Sequence, residues 1–506
     1  MMDRSKRRFA GAAVLIGWLV AASGHGAACS AAGSNFTGTA GGAGAGSSSS
    51  GSGTGAGGLI DFDASSGSGG GSGCALCSAD LKSVIDCSGN VVMTCAAGEA
   101  CAGGVCGRDP CQAAVEGQST YGCEYWALNL DNILPGACFA AYVTNTFTVP
   151  IHIAVDYKGA QQPVEMFTRI PTGQGSGLTY APYSSATGLM PGQVAILFLS
   201  QSPQLPFIGA PCPSGITPAI TVDPAVHGTG MGDAFHITTD GPVVAYQIFP
   251  YGGGSAAITS ATLLLPTSAW DVNYVAVNAY AASEIMNNPN GLPSLDVVAE
   301  MDGTTVTISP VAAITGGTGV AATAKGQPAT YNLSKGQYVQ FTQTAELTGS
   351  PILANNPVAV FGGNACMNVP ANFTACDTGE QQIPPVRALG HEYVGVRYRG
   401  RAGGTDESVP WRIIGAVAGT TLTYTPSTPM GAPTTLSPGQ VAEFDSPGPF
   451  IVASQDAQHP FYMAAFMTGG QNFNGEGDPE FVNVVPTAQY LDSYTFFTDP
   501  TYPETN

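Results

Sequence analysis

Residues 356–363 read NPVAVFGG and residues 383–396 read IPPVRALGHEYVGV. The pair recurs twice more in the chain. GPVVAYQIF (241–249) leads to LLPTSAWDVNYVAV (264–277), and HPFYMAAFM (459–467) leads to VVPTAQYLDSYTFF (484–497). The anchoring prolines Pro242, Pro357 and Pro460 lie about 100 to 115 residues apart, the length of a whole supersecondary unit repeated in series. Units stacked in this way make extended surfaces, which suits binding or display better than one enclosed catalytic pocket.

Between these blocks the pattern is that of strands. A Tyr-led strand opens each unit: Tyr125–Leu128, Tyr274–Val277 and Tyr393–Val396. LDVVAEM (295–301) and WRIIGAV (411–417) follow, then GTTVTIS from Gly303 and GTTLTYT from Gly419, in which Thr and an apolar residue alternate at period two. Gly-Gln turns open KGQYVQF and PGQVAEF, and the last strand is expected to start just after Pro357 or Pro460, where a proline removes no ladder hydrogen bond. The recurring tyrosines Tyr274, Tyr393 and Tyr494 read as wedges in the core rather than as ligand-stacking rings. No amphipathic helix of useful length is evident; Ala281–Asn287 is the one stretch that could form a turn of helix. The expected fold is all-β: tandem sandwich-like units at about 124–273, 274–392 and 393–493, with a fourth beginning at 494–506. A closed, propeller-like array is the alternative. The array either closes on this last strand or continues past Asn506, and the second, a fragment of a longer chain, is favoured.

The segments before residue 124 differ in kind. Arg4, Lys6, Arg7 and Arg8 precede an apolar run from Phe9 to Ala22, and small residues then lead to Cys29. Residues 1–28 therefore read as an export signal. A cysteine after small residues is where bacterial lipoproteins are cut and acylated, although Gly26 stands where that signal usually has Leu. Lipidation at Cys29, plain secretion and an uncleaved anchor all stay open, with the first favoured. Residues 30–73 are almost all Gly, Ser, Ala and Thr, with too little apolar surface to offset the entropy of ordering, so 29–73 reads as a disordered tether. No strand precedes its glycines and no GKS or GKT follows, so it is not a phosphate loop.

Thirteen cysteines occur, and twelve remain if Cys29 carries lipid. Cys74, Cys77, Cys87, Cys95, Cys101, Cys106, Cys111 and Cys123 crowd into 74–123, which reads as a small disulfide module of undetermined pairing. Zinc is disfavoured, because a single C-x-x-C at Cys74 and Cys77 lacks a second pair or a nearby His. Cys366 and Cys376 bracket one loop and are expected to bridge. Cys138 and Cys212 are left as a weaker candidate pair.

The formal charge is −20 and charged residues make up only 10% of the chain, so basic stripes for nucleic acid or anionic lipid are missing. None of His25, His152, His227, His236, His391 and His459 has metal-ligand spacing. Two acidic groups could in principle serve a glycosidase, Asp406-Glu407 and Glu476, Asp478, Glu480. Both sit among Gly and Pro and read as solvated loop charge. A calcium site at the second lacks the usual D-x-[DN]-x-[DN]-G pattern.

The stretch LTGSPILANNPVAVFGGNACMNVPANFTACDTGEQQIPPVRALGHEYVGV (347–396) resembles the central signature of the N-terminal domain of IgGFc-binding proteins. The matching features are Pro357–Val360, Cys366, Cys376, Glu380–Gln382, Pro384-Pro385 and Tyr393. The similarity covers about 124–506 and is specific only in this stretch. The order of signal, tether, Cys-rich module and this domain is similar to that of a set of myxobacterial surface proteins. The resemblance implies an all-β, exported, non-enzymatic binding domain. Gly477-Asp478-Pro479-Glu480 lacks the His of that family's Gly-Asp-Pro-His cleavage site, so self-cleavage is not carried over.

The reading that follows is a non-enzymatic binding or adhesion protein on the cell surface, without cofactor, metal or catalytic residues. A lipid at Cys29 would hold it to an outer membrane, facing outward. Its ligand would be an external glycoprotein, polysaccharide or matrix component. An extracellular enzyme acting on polysaccharide or protein, and a passive envelope or matrix component, are the alternatives.

Overall fold

The computed structural model describes residues 74–205, 209–253, 256, 258–401, 407–491, 494–496 and 498–503. The export signal, Cys29, the tether, His25 and Asp406 lie outside the described residues.

Short strands at Leu76–Cys77, Ser83–Ile85 and Val91–Thr94 form a small sheet, and Ala100–Ala102 pairs with Val105–Arg108. Four disulfides hold this module: Cys74–Cys87, Cys77–Cys101, Cys95–Cys106 and Cys111–Cys123. Its own apolar core is little more than Val84, Cys95 and Cys101, which is why covalent links are needed. A helix of eight residues, α1 (Pro110–Gly117), follows. The Asp109 carboxylate accepts from Gln112 N at 2.9 Å, and Pro110 fills the first helical position. Cys111 on α1 bonds Cys123 on the first Tyr-led strand and ties module to sandwich.

The first sandwich contains β1 (Gly122–Ala127), β2 (Phe139–Thr144), β3 (Ile153–Tyr157), β4 (Val194–Ser200), β6 (Phe235–Phe249) and β7 (Ser260–Leu264); β5 (Gly230–Asp233) lies between β4 and β6 in the chain. The second contains β8 (Asp271–Val275), β9 (Pro293–Ala299), β10 (Thr304–Ile308), β11 (Ala329–Leu333), β12 (Gln337–Thr342), β13 (Pro351–Met367) and β14 (Asp377–Ile383). The third contains β15 (Glu392–Gly395), β16 (Val409–Gly415), β17 (Thr420–Thr425), β18 (Val441–Ser446), β19 (Phe450–Ser454), β20 (Phe461–Met467) and β21 (Glu480–Asn483).

One device organises all three. The first half of β6 pairs with β1 and β3, and its second half with β2 and β7. The strand thus begins in one sheet and ends in the facing one. In the second sandwich the early residues of β13 pair with β8 and β10, and Val358 onward with β9 and β14. In the third the strand is cut in two: β19 pairs with β15 and β17, and β20 with β16 and β21. Residues from both of its sheets, among them Tyr393, Trp411, Leu422, Phe444, Val452 and Met463, share one core, so the sheets face each other as a sandwich rather than as propeller blades.

The repeated prolines mark this change of sheet. Pro242 and Pro357 lie inside β6 and β13, at or beside register shifts, so the second long strand starts at Pro351 and not just after Pro357. At a point where the ladder changes partner, the missing proline N–H removes no bond. The repeated tyrosine seals the seam. The Tyr125, Tyr274 and Tyr393 hydroxyls donate to the carbonyls of Val243, Val358 and Phe461 at 2.6, 2.7 and 2.6 Å, in each case the residue after the proline. Tyr274 and Tyr393 also accept from Asp271 N at 3.2 Å and Gly390 N at 2.9 Å. Tyr494 keeps the second bond, from Leu491 N at 2.7 Å, but is 56% exposed.

The sandwiches are packed to one another. β5 precedes β6 in the chain yet pairs with β12 of the second sandwich. Val298, Tyr338, Ala359 and Phe361 of the second join the core of the first, and Ile414, Tyr462, Phe466 and Phe481 of the third join that of the second. Arg412 on β16 is buried in the second joint. It pairs with Glu346 at 3.2 Å and Glu443 at 2.6 Å and donates to Asn278 O at 3.1 Å.

Candidate functional site

Cys366 and Cys376 are bonded, and the loop between them is half core and half surface. Met367 and Val369 are fully buried, whereas Asn372, Thr374 and Ala375 are exposed. The Asn368 amide donates to Phe373 O and Ala375 O, both at 2.7 Å, and shapes the turn from within. Two more loops brace it. Asn288 donates to Cys366 O at 3.1 Å and to Asn368 Oδ1 at 3.0 Å, and Gln471 of the third sandwich accepts from Thr374 N at 2.9 Å. The segment 281–287 is part of this bundle and forms no helical turn, because its polar groups bond across to the neighbouring loops instead, as Glu284 N does to Ala371 O at 2.9 Å. The outer surface of the bundle carries Met286, Asn287, Asn290, Asn372, Asn472 and Asn474. It is amide-rich, with one apolar side chain 93% exposed.

The equivalent strands β7, β14 and β21 come together through side chains. Ser260 Oγ accepts from Glu380 N at 3.3 Å and donates to Glu480 Oε1 at 3.4 Å; Thr262 Oγ1 accepts from Gln382 N at 2.9 Å; Asn483 donates to Gln382 O at 2.9 Å. Asp377, Glu380 and Glu480 are enclosed at this meeting point. Burial pushes the Glu380 and Glu480 carboxyls up to about 8 and that of Asp377 up to about 9. Gln247 donates to Glu380 Oε2 at 2.9 Å, while Glu380 Oε1 and Asp377 Oδ1 have no hydrogen-bond partner. Three carboxyls whose charged forms are disfavoured by burial are thus enclosed where the units meet.

The sequence candidates fall as follows. Glu407 is buried rather than solvated: it pairs with Arg401 and accepts from the Tyr398 hydroxyl at 2.5 Å. Glu480 is enclosed as described, so loop charge describes only Glu476 and Asp478 of that group. His152 pairs with Asp240 at 2.7 Å, His236 with Glu124 at 2.7 Å and His459 with Asp456 at 2.6 Å. His391 meets Ser454 N through its backbone carbonyl, at 2.7 Å. His227 lies between Asp131 and Asp223, whose hydrogen bonds raise it to about 10. Among the described residues no three His, Cys, Asp or Glu side chains stand close enough to hold a metal ion. Cys138 and Cys212 form a bond beside Phe198 and Tyr251. Among the described residues no helix is long and apolar enough to cross a membrane.

Residues 260–506 match the family model described as IgGFc binding protein. The match starts at the first residue of β7 and takes in the second and third sandwiches. No curated protein and no solved structure gives a match.

Proposed function

We propose that this chain is an exported, non-enzymatic binding or adhesion protein, held to a membrane by lipid at Cys29 and presenting its β-units to a glycoprotein, polysaccharide or matrix ligand. The observation that carries the reading is the disulfide-bracketed loop 366–376, braced by loops of two sandwiches on a scaffold whose polar interior is used for packing. Loops on a rigid frame are where binding surfaces arise. Six disulfides among the described residues suit an oxidising compartment, and the family matched by 260–506 is named for binding antibody. The acids enclosed at β7, β14 and β21 belong to the scaffold and give a substrate no open approach.

The test is a pull-down with residues 74–506 against envelope extracts, host glycoproteins and IgG. Asn372→Arg and Met286→Glu change exposed positions of the bundle and leave Asn368 and Asn288 in place. Capture of a defined ligand that both variants weaken, at unchanged melting temperature, supports the reading. Turnover of a polysaccharide or peptide panel, or capture of nothing, overturns it.

A further inference from the structure

The third sandwich ends in a cleft of about 380 Å³ lined by Val396, Arg397, Tyr398, Arg399, Pro447 and Pro449. One wall is the loop leaving β15, the other the loop joining β18 to β19. The corresponding ends of the other two sandwiches are closed. Counted from the seam tyrosines, Asn278 and Tyr280 hold the places of Arg397 and Arg399. Both lie under the third sandwich, where Arg412 donates to Asn278 O and stands 5.6 Å from the Tyr280 ring; Leu347 and Ser350 of the partner loop are fully buried. The first sandwich's end is capped by Gln340 of the second, which donates to Val226 O at 2.6 Å and Gly228 O at 2.7 Å. The end of the third sandwich thus opens a cleft where, among the described residues, those of the other two are covered, and Arg397 and Arg399 stand at the places held by Asn278 and Tyr280 in the second.

That charge is unusual for this chain. It carries fifteen Lys and Arg residues against thirty-five acids, yet Arg397, Arg399 and Arg401 fall within one short loop. Arg401 is the loop's anchor: besides its pair with Glu407 it donates to Thr468 O at 2.8 Å and Glu476 O at 2.9 Å and stacks on Phe473 at 4.0 Å. Arg399 is exposed and makes no ion pair among the described residues. Val396 is 64% exposed, and Pro447 and Pro449 are also exposed, so apolar surface lies beside the guanidinium groups. A planar guanidinium matches carboxylate or sulfate in fork geometry, and flat apolar side chains suit the C–H faces of sugar rings.

We infer that this cleft binds an acidic polysaccharide, one bearing uronate or sulfate groups. The inference rests on the reading of the chain as a binding protein and names a ligand class for it. The net charge of −20 opposes a polyanion, so the attraction has to come from local guanidinium groups such as these, and it is screened by salt.

The experiment measures retention of residues 74–506 on immobilised polygalacturonate, heparin and neutral dextran. Retention is expected on polygalacturonate if carboxylates are recognised, or on heparin if sulfates are, and not on dextran. Arg399→Glu should lower affinity about ten- to a hundredfold, Arg399→Lys should restore part of it, and added salt should weaken it. Lys325→Glu, an exposed charge change on the second sandwich, should have no effect. An equal loss in Lys325→Glu, or equal retention on dextran, overturns the inference. So does sedimentation showing self-association that Arg399→Glu abolishes, with no polyanion bound; the cleft would then seat a second copy, as the inner ends seat the next sandwich. If a glycoprotein is captured through the 366–376 bundle while no polyanion binds, this inference fails and the proposed function stands. If nothing binds, both fail.

Discussion

Removing one oxygen atom from the seam of the third sandwich should separate two roles of the repeated tyrosine. In Tyr393→Phe the ring stays in its core beside Phe461, at 4.9 Å between centroids, but the hydroxyl's two bonds are lost. Phe461 O loses a donor at 2.6 Å and Gly390 N an acceptor at 2.9 Å, at a side chain only 1% exposed. A hydrogen bond contributes about 1 kcal/mol net, and a buried group left unpaired costs about 1–3 kcal/mol, so the variant should lose about 2–4 kcal/mol. Tyr494→Phe provides the control within the same repeat. It removes a single bond, from Leu491 N, at a ring 56% exposed, where water replaces the lost partner, and should change stability by less than about 0.5 kcal/mol. Urea titration of residues 74–506 carrying Trp126→Phe and Trp270→Phe, followed by fluorescence of the remaining buried Trp411, reads the third sandwich. Equal losses in the two variants, or a Tyr393→Phe loss below about 0.5 kcal/mol, would refute the seam argument.

Other outcomes follow from the interior. Glu380 is held up to about 8 by burial and is therefore protonated in the fold, whereas the unfolded chain titrates near 4.5. The native state binds the extra proton between those values, so this group's contribution falls as pH rises through that window. Glu380→Gln should flatten the decline by about 1.4 kcal/mol per pH unit between about pH 5 and 8, and denaturation series across pH with an unchanged slope would count against it. Arg412→Met leaves Glu346 without its cation in the second joint. The loss should be about 2–4 kcal/mol, and the calorimetric transition should split; a single, unshifted endotherm would contradict that coupling. Replacing Cys138 and Cys212 together by Ser opens a link with a sequence separation of 74, and should cost about 4 kcal/mol against about 3 kcal/mol for Cys366 and Cys376, separated by 10. Thermal melts that reverse this order would oppose the chain-entropy account.

What could be read in advance was local and repeated. Gly303 and Gly419 open β10 and β17 with φ of 71° and 79°, where only glycine is unstrained, so GTT at both places announced a turn into a strand. The Gly-Gln turns work the same way: the side chains of Gln337 and Gln440 accept from Ser334 N at 3.2 Å and Ser437 N at 2.9 Å. The first sandwich has this signal too, in Gln193 accepting from Met190 N at 2.9 Å within PGQVAILF, but the added strands Thr168–Thr172 and Thr179–Pro182 obscure its register with the other copies. α1 has its signal in Asp109-Pro110, an N-cap residue followed by proline at the first helical position. The meeting of Ser260, Glu380 and Glu480, the crossing of β5 and the closure of two sandwich ends depend on how units pack. No period within one unit encodes them. The arginine loop was visible as a string of charges, but its meaning needed the knowledge of which ends are covered.

The pairing of β5 with β12 bears on how this array could have arisen and how it can be taken apart. A duplicated gene yields interchangeable pieces only while each piece completes its own sheets. Here a segment encoded with the first sandwich supplies an edge of the second. Excising the second alone would bare the backbone of β12 to intermolecular pairing, and deleting the first would do the same. The two are expected to be gained, lost and expressed together, whereas the third, which lends no strand to either among the described residues, is joined to the second through side chains such as Arg412 and Phe481.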